Sequence, residues 1–127
     1  MKKEIKTEKA PAPVGPYSQA IEINGMVFCS GQIALDPVSG NIRGDNAVSQ
    51  FEVVIQNLIN VLESTGATLN DVVRVEIYLK DLSDFSEINN SYEKFFVDRP
   101  FPSRVTVEVN RLPKDALVEV SCIAVKK

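Results

Sequence analysis

Phe101-Pro-Ser-Arg-Val-Thr-Val-Glu-Val-Asn-Arg-Leu-Pro-Lys-Asp-Ala-Leu-Val-Glu-Val120 is the stretch that decides how this chain folds. Two runs of strict alternation flank a turn-forming centre, Asn110 to Asp115, which is rich in Asn, Pro and Asp. In the first run Val105, Val107 and Val109 share one face, and Arg104, Thr106 and Glu108 share the other. In the second, Val118, Val120, Cys122 and Ala124 fall together, opposite Glu119 and Ser121. The pattern predicts two strands with valine-rich core faces, and it places Arg104 and Glu119 on the less apolar side. Charged residues on strands are mostly just solvated. These two gain interest from what the rest of the chain brings to the same face.

Upstream, Val72-Val-Arg-Val-Glu-Ile-Tyr-Leu-Lys80 alternates in the same way, with Val73, Val75, Ile77 and Leu79 expected in the core. Between it and Phe101 a helix is expected to start near Ser83 or Asp84, where Asp84 with Glu87 three residues on fits a capping arrangement. Phe85, Ile88, Tyr92, Phe95 and Phe96 form its apolar stripe, with Asn89 beside it, and Pro100 and Pro102 stop it. This strand–helix–strand unit, 72–109, predicts a right-handed parallel crossover. Farther back, Val48, Phe51, Val54 or Ile55, Leu58, Ile59 and Leu62 recur at helical spacing over about Asp45 to Ser64, and Gly66 ends that helix.

The first third of the chain reads as strands. Residues 2–7 suit a short polar edge strand. Ala10-Pro-Ala-Pro-Val-Gly-Pro-Tyr17, with three prolines and a glycine, predicts a stiff loop that delivers Tyr17 to a defined place. Asn24-Gly25 between apolar runs is a strong hairpin signal. In the strand that follows, Ser30-Gly31 predicts a bulge or a close backbone approach. The order is β-β-β-α-β-α-β-β, an α+β fold of one mixed sheet of about six strands with two helices on one face. The other face is expected to carry Arg74, Glu76, Tyr78, Thr106, Glu119 and Ser121 together with apolar neighbours. That mixture suits burial in an oligomer.

Composition narrows the chemistry. At 127 residues the chain is predicted to be one domain, 1–127, large enough for a core without metal or disulfide staples. There is no histidine, which removes Ser-His-Asp and Cys-His nucleophiles, His-based zinc sites and imidazole acid–base catalysis. A net charge of −3 argues against a general nucleic-acid footprint. Cys29 and Cys122 sit in strand-like runs without a CxxC and read as reduced, buried thiols. No apolar run approaches the ~20 residues a membrane span needs. Met1-Lys-Lys resembles the start of a signal peptide, but Glu4, Lys6, Glu8 and Lys9 occupy the place of its apolar region, so a cytoplasmic location is expected.

Four stretches, in order, resemble one family: Ala12-Pro-Val-Gly-Pro-Tyr-Ser-Gln19, Ser30-Gly-Gln-Ile33, Asp81 to Tyr92, and Phe101-Pro-Ser-Arg104 continued by Val107-Glu-Val and Leu112-Pro-Lys-Asp115. These resemble the reactive-intermediate deaminases, the RidA or YjgF-type family, over essentially the full chain. The resemblance implies a chorismate-mutase-like fold and a homotrimer with clefts at subunit boundaries. It also implies hydrolysis of 2-imino acids, released by pyridoxal-phosphate dehydratases as enamine/imine tautomers, to 2-keto acids and ammonia, with no cofactor or metal. Carried over, Arg104 resembles the arginine that binds the substrate carboxylate and Glu119 the carboxylate associated with the attacking water. Tyr17, Ser30, Gly31 and Asn89 match cleft-lining positions. Thr106 stands where several members have cysteine, which bears on pocket fit. Two other functions compete. A module that senses 2-keto acids would need Arg104 but no turnover. An RNA-acting translation inhibitor, described for some members, fits poorly with the acidic balance and the missing histidines.

Overall fold

Asn24 and Gly25, at φ 50° and 78°, take the two left-handed positions of a tight hairpin turn, and Ile23 pairs with Met26 across it. Built outward from that hairpin, the computed structural model describes residues 1–127. Its elements are β1 (Lys3–Ile5), β2 (Ala20–Ile23), β3 (Met26–Gln32), α1 (Ala47–Glu63), β4 (Val72–Leu79), α2 (Phe85–Phe95), β5 (Ser103–Glu108) and β6 (Val118–Val125). The six strands form one mixed sheet in the order β1-β2-β3-β6-β4-β5. β4 and β5 run parallel, as the intervening α2 requires, and every other neighbouring pair is antiparallel. Both helices cover one face, as the element order predicts.

α1 begins with a reciprocal cap: Asn46 Oδ1 accepts from the Ser49 backbone N–H at 2.9 Å, and the Ser49 hydroxyl accepts from the Asn46 N–H at 3.2 Å. It ends where Gly66 adopts φ 88°. Its stripe of Phe51, Val54, Ile55, Leu58, Val61 and Leu62 is buried over the centre of the sheet. Each such side chain contributes roughly 1.5–3 kcal/mol by leaving water. Two polar residues on the same helix are buried because they hold loops: Asn57 donates to the Leu35 carbonyl, and Gln50 bridges Gly44 and Leu117.

Two bulges interrupt the expected alternation. Between the Cys29–Cys122 and Gln32–Val120 pairs, β3 has Ser30 and Gly31 where β6 has Ser121 alone, so the predicted bulge is present. The second was not expected. Val72 opposes Ala124 and Arg74 opposes Ile123, which leaves Val73 without a partner, and it is 47% exposed. Val72 and Val75 fill the core instead.

The faces of β5 are the reverse of those expected. In the parallel pairing Arg104 lies beside Val75 and Thr106 beside Ile77, both fully buried under the helices, so Arg104 and Thr106 belong to the helix-covered face. Val105 and Val107 lie beside Glu76 and Tyr78 on the open face. Alternation shows that two sets of side chains part company; register with the neighbouring strand decides which set faces in.

α2 also starts differently. Its cap lies one turn earlier, where Asp81 Oδ1 accepts from the Ser83 N–H at 2.9 Å over a 3-10 turn, and Asp84 makes no side-chain cap. Ile88, Tyr92 and Phe96 are buried as expected, whereas Phe85 is 38% exposed.

Candidate active site

Arg104 leaves the edge strand β5 under the flank of α2. Its Nη2 donates to Asn89 Oδ1 at 2.7 Å, and its guanidinium lies 4.8 Å from the Tyr92 ring centre. Asn89 and Tyr92 are three residues apart on α2, so one helix face presents both. Beside them opens a cleft of about 340 Å3, walled by Tyr92, Glu93, Phe101 and Pro102 with Arg104. The ion pairs of the chain join Lys6 to Glu4, Arg111 to Asp115 and Lys126 to Glu22; none engages Arg104. Its charge therefore faces the cleft with a neutral amide as its anchor.

Glu119 lies on the open face of β6, opposite Tyr78. A second cleft, of about 180 Å3, brings it together with Tyr17, Gly31, Gln32 and Lys114. Burial alone raises its pKa above the ordinary 4.5, since the ionised form loses water there. The bulge in β3 fits around it: a Cβ on Gly31 would come within 2.6 Å of Glu119 Oε2. Gly31 is glycine because the carboxylate occupies that space, the close approach the sequence foretold. The Tyr17 hydroxyl accepts from the Val14 N–H at 3.3 Å, which orients the ring within the proline-rich loop.

The remaining expected residues divide. The Ser30 hydroxyl donates to the Ser18 carbonyl at 2.6 Å and so braces the loop that carries Tyr17. Thr106 follows Arg104 on the helix-covered face, and its hydroxyl is buried without a partner. The structure thus brings Arg104 together with Asn89, and Glu119 together with Tyr17 and Gly31. It does not bring Arg104 to Glu119. The two lie on opposite faces of the sheet within one chain, contrary to the common face read from the alternation.

Residues 7–126 match the family described as Endoribonuclease L-PSP. A RutC family protein of Pyrococcus abyssi is 50% identical over 126 residues, covering 99% of this chain and 98% of the relative. A 2-iminobutanoate/2-iminopropanoate deaminase of Salmonella typhimurium is 41% identical over 129 residues, covering 100% of both. The crystal structure of RidA from the Antarctic bacterium Psychrobacter sp. PAMC 21119 superposes with a TM-score of 0.93 at 39% identity, covering 97% of this chain and 98% of that one. The chain belongs to the RidA/YjgF family.

Gln19 and the Lys114-Asp115 turn contribute to the site in ways the sequence did not disclose. Gln19 is 3% exposed and ties the proline-rich loop down, accepting from the Thr7 N–H and donating to the Thr7, Ala10 and Pro11 carbonyls. Its signal was a polar residue at the start of an apolar strand. Lys114, which lines the Glu119 cleft, and its neighbour Asp115 adopt the left-handed φ values 56° and 55°. The Pro-Lys-Asp sequence announces a turn but not that conformation. No helix is long and apolar enough to cross a membrane.

Proposed function

We propose that the protein is a 2-imino acid deaminase that hydrolyses enamine/imine intermediates such as 2-aminoacrylate to 2-keto acids and ammonia. The observation that carries this reading is Arg104, fixed by Asn89 at a cleft with no carboxylate of its own chain bound to it. A planar guanidinium in that state is built to take a carboxylate bidentately. The similarity to the Salmonella deaminase supports the same reading.

Because Arg104 and Glu119 lie on opposite sheet faces, the site is proposed to be composite, with the Arg104 cleft of one copy meeting the Glu119 cleft of the next in a homotrimer. The open face supplies a surface for this assembly. Phe28, Val107 and Val125 are 40%, 38% and 41% exposed there. Apolar surface of that kind gains by being covered.

The chemistry follows from these groups. Arg104 holds the substrate carboxylate, which places the iminium carbon beside Glu119 of the neighbouring copy. Glu119 takes a proton from water as the water oxygen bonds to that carbon, giving a neutral carbinolamine. Glu119 then returns the proton to nitrogen, and the C–N bond breaks with its electron pair leaving on ammonia. The carbinol O–H proton passes to the Glu119 carboxylate as the carbonyl forms, and from there to solvent. The products are a 2-keto acid and ammonia, with no electrons transferred and no cofactor needed for the balance. Burial that raises the pKa of Glu119 makes it a better proton acceptor than an ordinary surface glutamate. Iminium hydrolysis proceeds in water unaided, so positioning and one base suffice.

The test is Arg104→Lys, which keeps the charge and loses the planar fork. With 2-aminoacrylate generated in situ by a dehydratase, kcat/KM is expected to fall on the order of 30- to 1000-fold, equivalent to ~2–4 kcal/mol. Near-normal pyruvate release by a folded Lys variant would remove Arg104 from this role.

A further inference from the structure

Phe85 poses a question that neither the core nor the proposed chemistry answers. It lies on α2 with the spacing of a core residue, yet it is 38% exposed. Single exposed apolar residues are ordinary on a protein surface, but this ring has a charged neighbour. That neighbour is Arg104, whose guanidinium lies 5.6 Å from the Phe85 ring centre. The same guanidinium lies 4.8 Å from the ring centre of Tyr92.

Phe85, Asn89 and Tyr92 stand at positions i, i+4 and i+7 of α2, on one helix face. All three contact one side chain. Asn89 takes one N–H of the guanidinium at 2.7 Å, and the two rings approach its carbon. We infer that Phe85 and Tyr92 are positioning residues, an aromatic bracket that orients Arg104 before a carboxylate arrives. The inference rests on the proposed role of Arg104 and extends it to the residues that make that role efficient.

The physical reason is conformational freedom. An unsupported arginine on an edge strand samples many rotamers, and a ligand that binds it must immobilise them. Aromatic rings within ~6 Å of a guanidinium attract it through the ring quadrupole. One N–H is taken by Asn89, and the other four donors of the fork are left for the substrate. The bracket is itself braced on one side. Tyr92 stacks on Phe96 with ring centres 4.3 Å apart and planes at 19°, and its ring also approaches Phe101 at 6.3 Å. The Tyr92 hydroxyl is buried with no hydrogen-bond partner.

The experiment compares Phe85→Leu, Phe85→Tyr, Tyr92→Phe and Tyr92→Leu in the full-length protein. Binding of 2-oxobutanoate is measured by calorimetry, turnover with 2-aminoacrylate generated in situ, and Arg104 order from its Nε–Hε resonance without ligand. Phe85→Leu carries the test because this residue adds little to the core, whereas Tyr92→Leu also opens a cavity. Phe85→Leu is expected to raise Kd and KM together about 2- to 30-fold with kcat nearly unchanged, because the anchor works equally in ground and transition states. Its Arg104 resonance should lose order. Phe85→Tyr and Tyr92→Phe, which keep the ring faces, should retain the Arg104 order that Phe85→Leu loses, and Phe85→Tyr should hold Kd and KM well below their Phe85→Leu values. Phe85→Leu with Kd, KM and Arg104 order all at wild-type values overturns the bracket, whatever its effect on melting temperature. If wild type neither binds 2-oxobutanoate nor releases pyruvate, the deaminase reading fails. The loss of Arg104 order in Phe85→Leu then still decides for or against the bracket.

Discussion

Gly31 and Glu119 constrain each other. The 2.6 Å approach between a would-be Cβ and Glu119 Oε2 involves the far end of a flexible side chain, so Gly31→Ala is expected to fold and to push the carboxylate aside. Stability should stay within about 1 kcal/mol of wild type while kcat falls at least about tenfold, read from urea unfolding and imine turnover on the same preparation. An active alanine variant would show that the position of Glu119 is unimportant. The raised pKa of Glu119 gives a second expectation, with a definite sign. The folded chain holds this proton more tightly than the unfolded chain does, so the contribution to stability is full below the unfolded value. It is lost as pH rises through the higher folded value. Glu119→Gln cannot ionise, so its melting temperature should exceed that of wild type at neutral pH. The advantage should vanish below about pH 4, where both forms are neutral. For activity, the acid limb of the wild-type kcat profile should lie above the ordinary glutamate value of 4.5.

Strands were legible as strands, but the way each one faces was legible only in part. β6 carries Val118, Val120, Cys122 and Ala124 in the core as its alternation says, because its neighbours β3 and β4 press on it from both sides. β5 is an edge strand, paired with β4 alone, and its valines face away from the helices. There the parity is set by the parallel register after α2, and Arg104 is tolerated on the helix side because Asn89 and aromatic rings receive it. A hydrophobicity pattern holds no information about that reception. The bulge at Val73 shifted the front of β4 for a similar reason: an extra residue leaves no trace when Val72 and Val73 are identical. Gly31, Glu119, Asn89 and Arg104 were each named from the family resemblance. That Gly31 lies beside Glu119 and Asn89 beside Arg104, and that the two pairs sit on opposite faces, is seen only in the structure. The bulge is checked by threonine substitution, which swaps a methyl for a hydroxyl. Val73→Thr, at an exposed position, should change unfolding free energy by less than about 0.5 kcal/mol, whereas Val75→Thr buries an unpaired hydroxyl and should cost about 1–3 kcal/mol. Equal costs would return Val73 to the core.

At the scale of the whole molecule, the separation of Arg104 from Glu119 makes the subunit arrangement testable through activity. Each chain offers one Arg104 cleft on its helix side and one Glu119 cleft on its open side. In the proposed closed ring, one repeated contact would join the first cleft of each copy to the second cleft of the next. Arg104→Ala and Glu119→Gln chains, each inactive alone, then complement each other. Where a Glu119→Gln chain supplies Arg104 and an Arg104→Ala chain supplies Glu119, the site has both native groups. Random assembly from an equal mixture forms that pairing at one site in four, so activity should recover to about a quarter of wild type. The remaining sites lack one or both groups. A mixture of chains each carrying both substitutions and wild-type chains gives the control. There, too, only one site in four keeps both groups, and activity should again be about a quarter of that from undiluted wild type. If each chain built its own site, the first mixture would stay inactive and the control would keep half its activity. The measurement is pyruvate release after the chains are unfolded together in urea and refolded, with sedimentation to confirm a common assembly. No recovery in a mixture that has assembled would place both residues in a site of a different design.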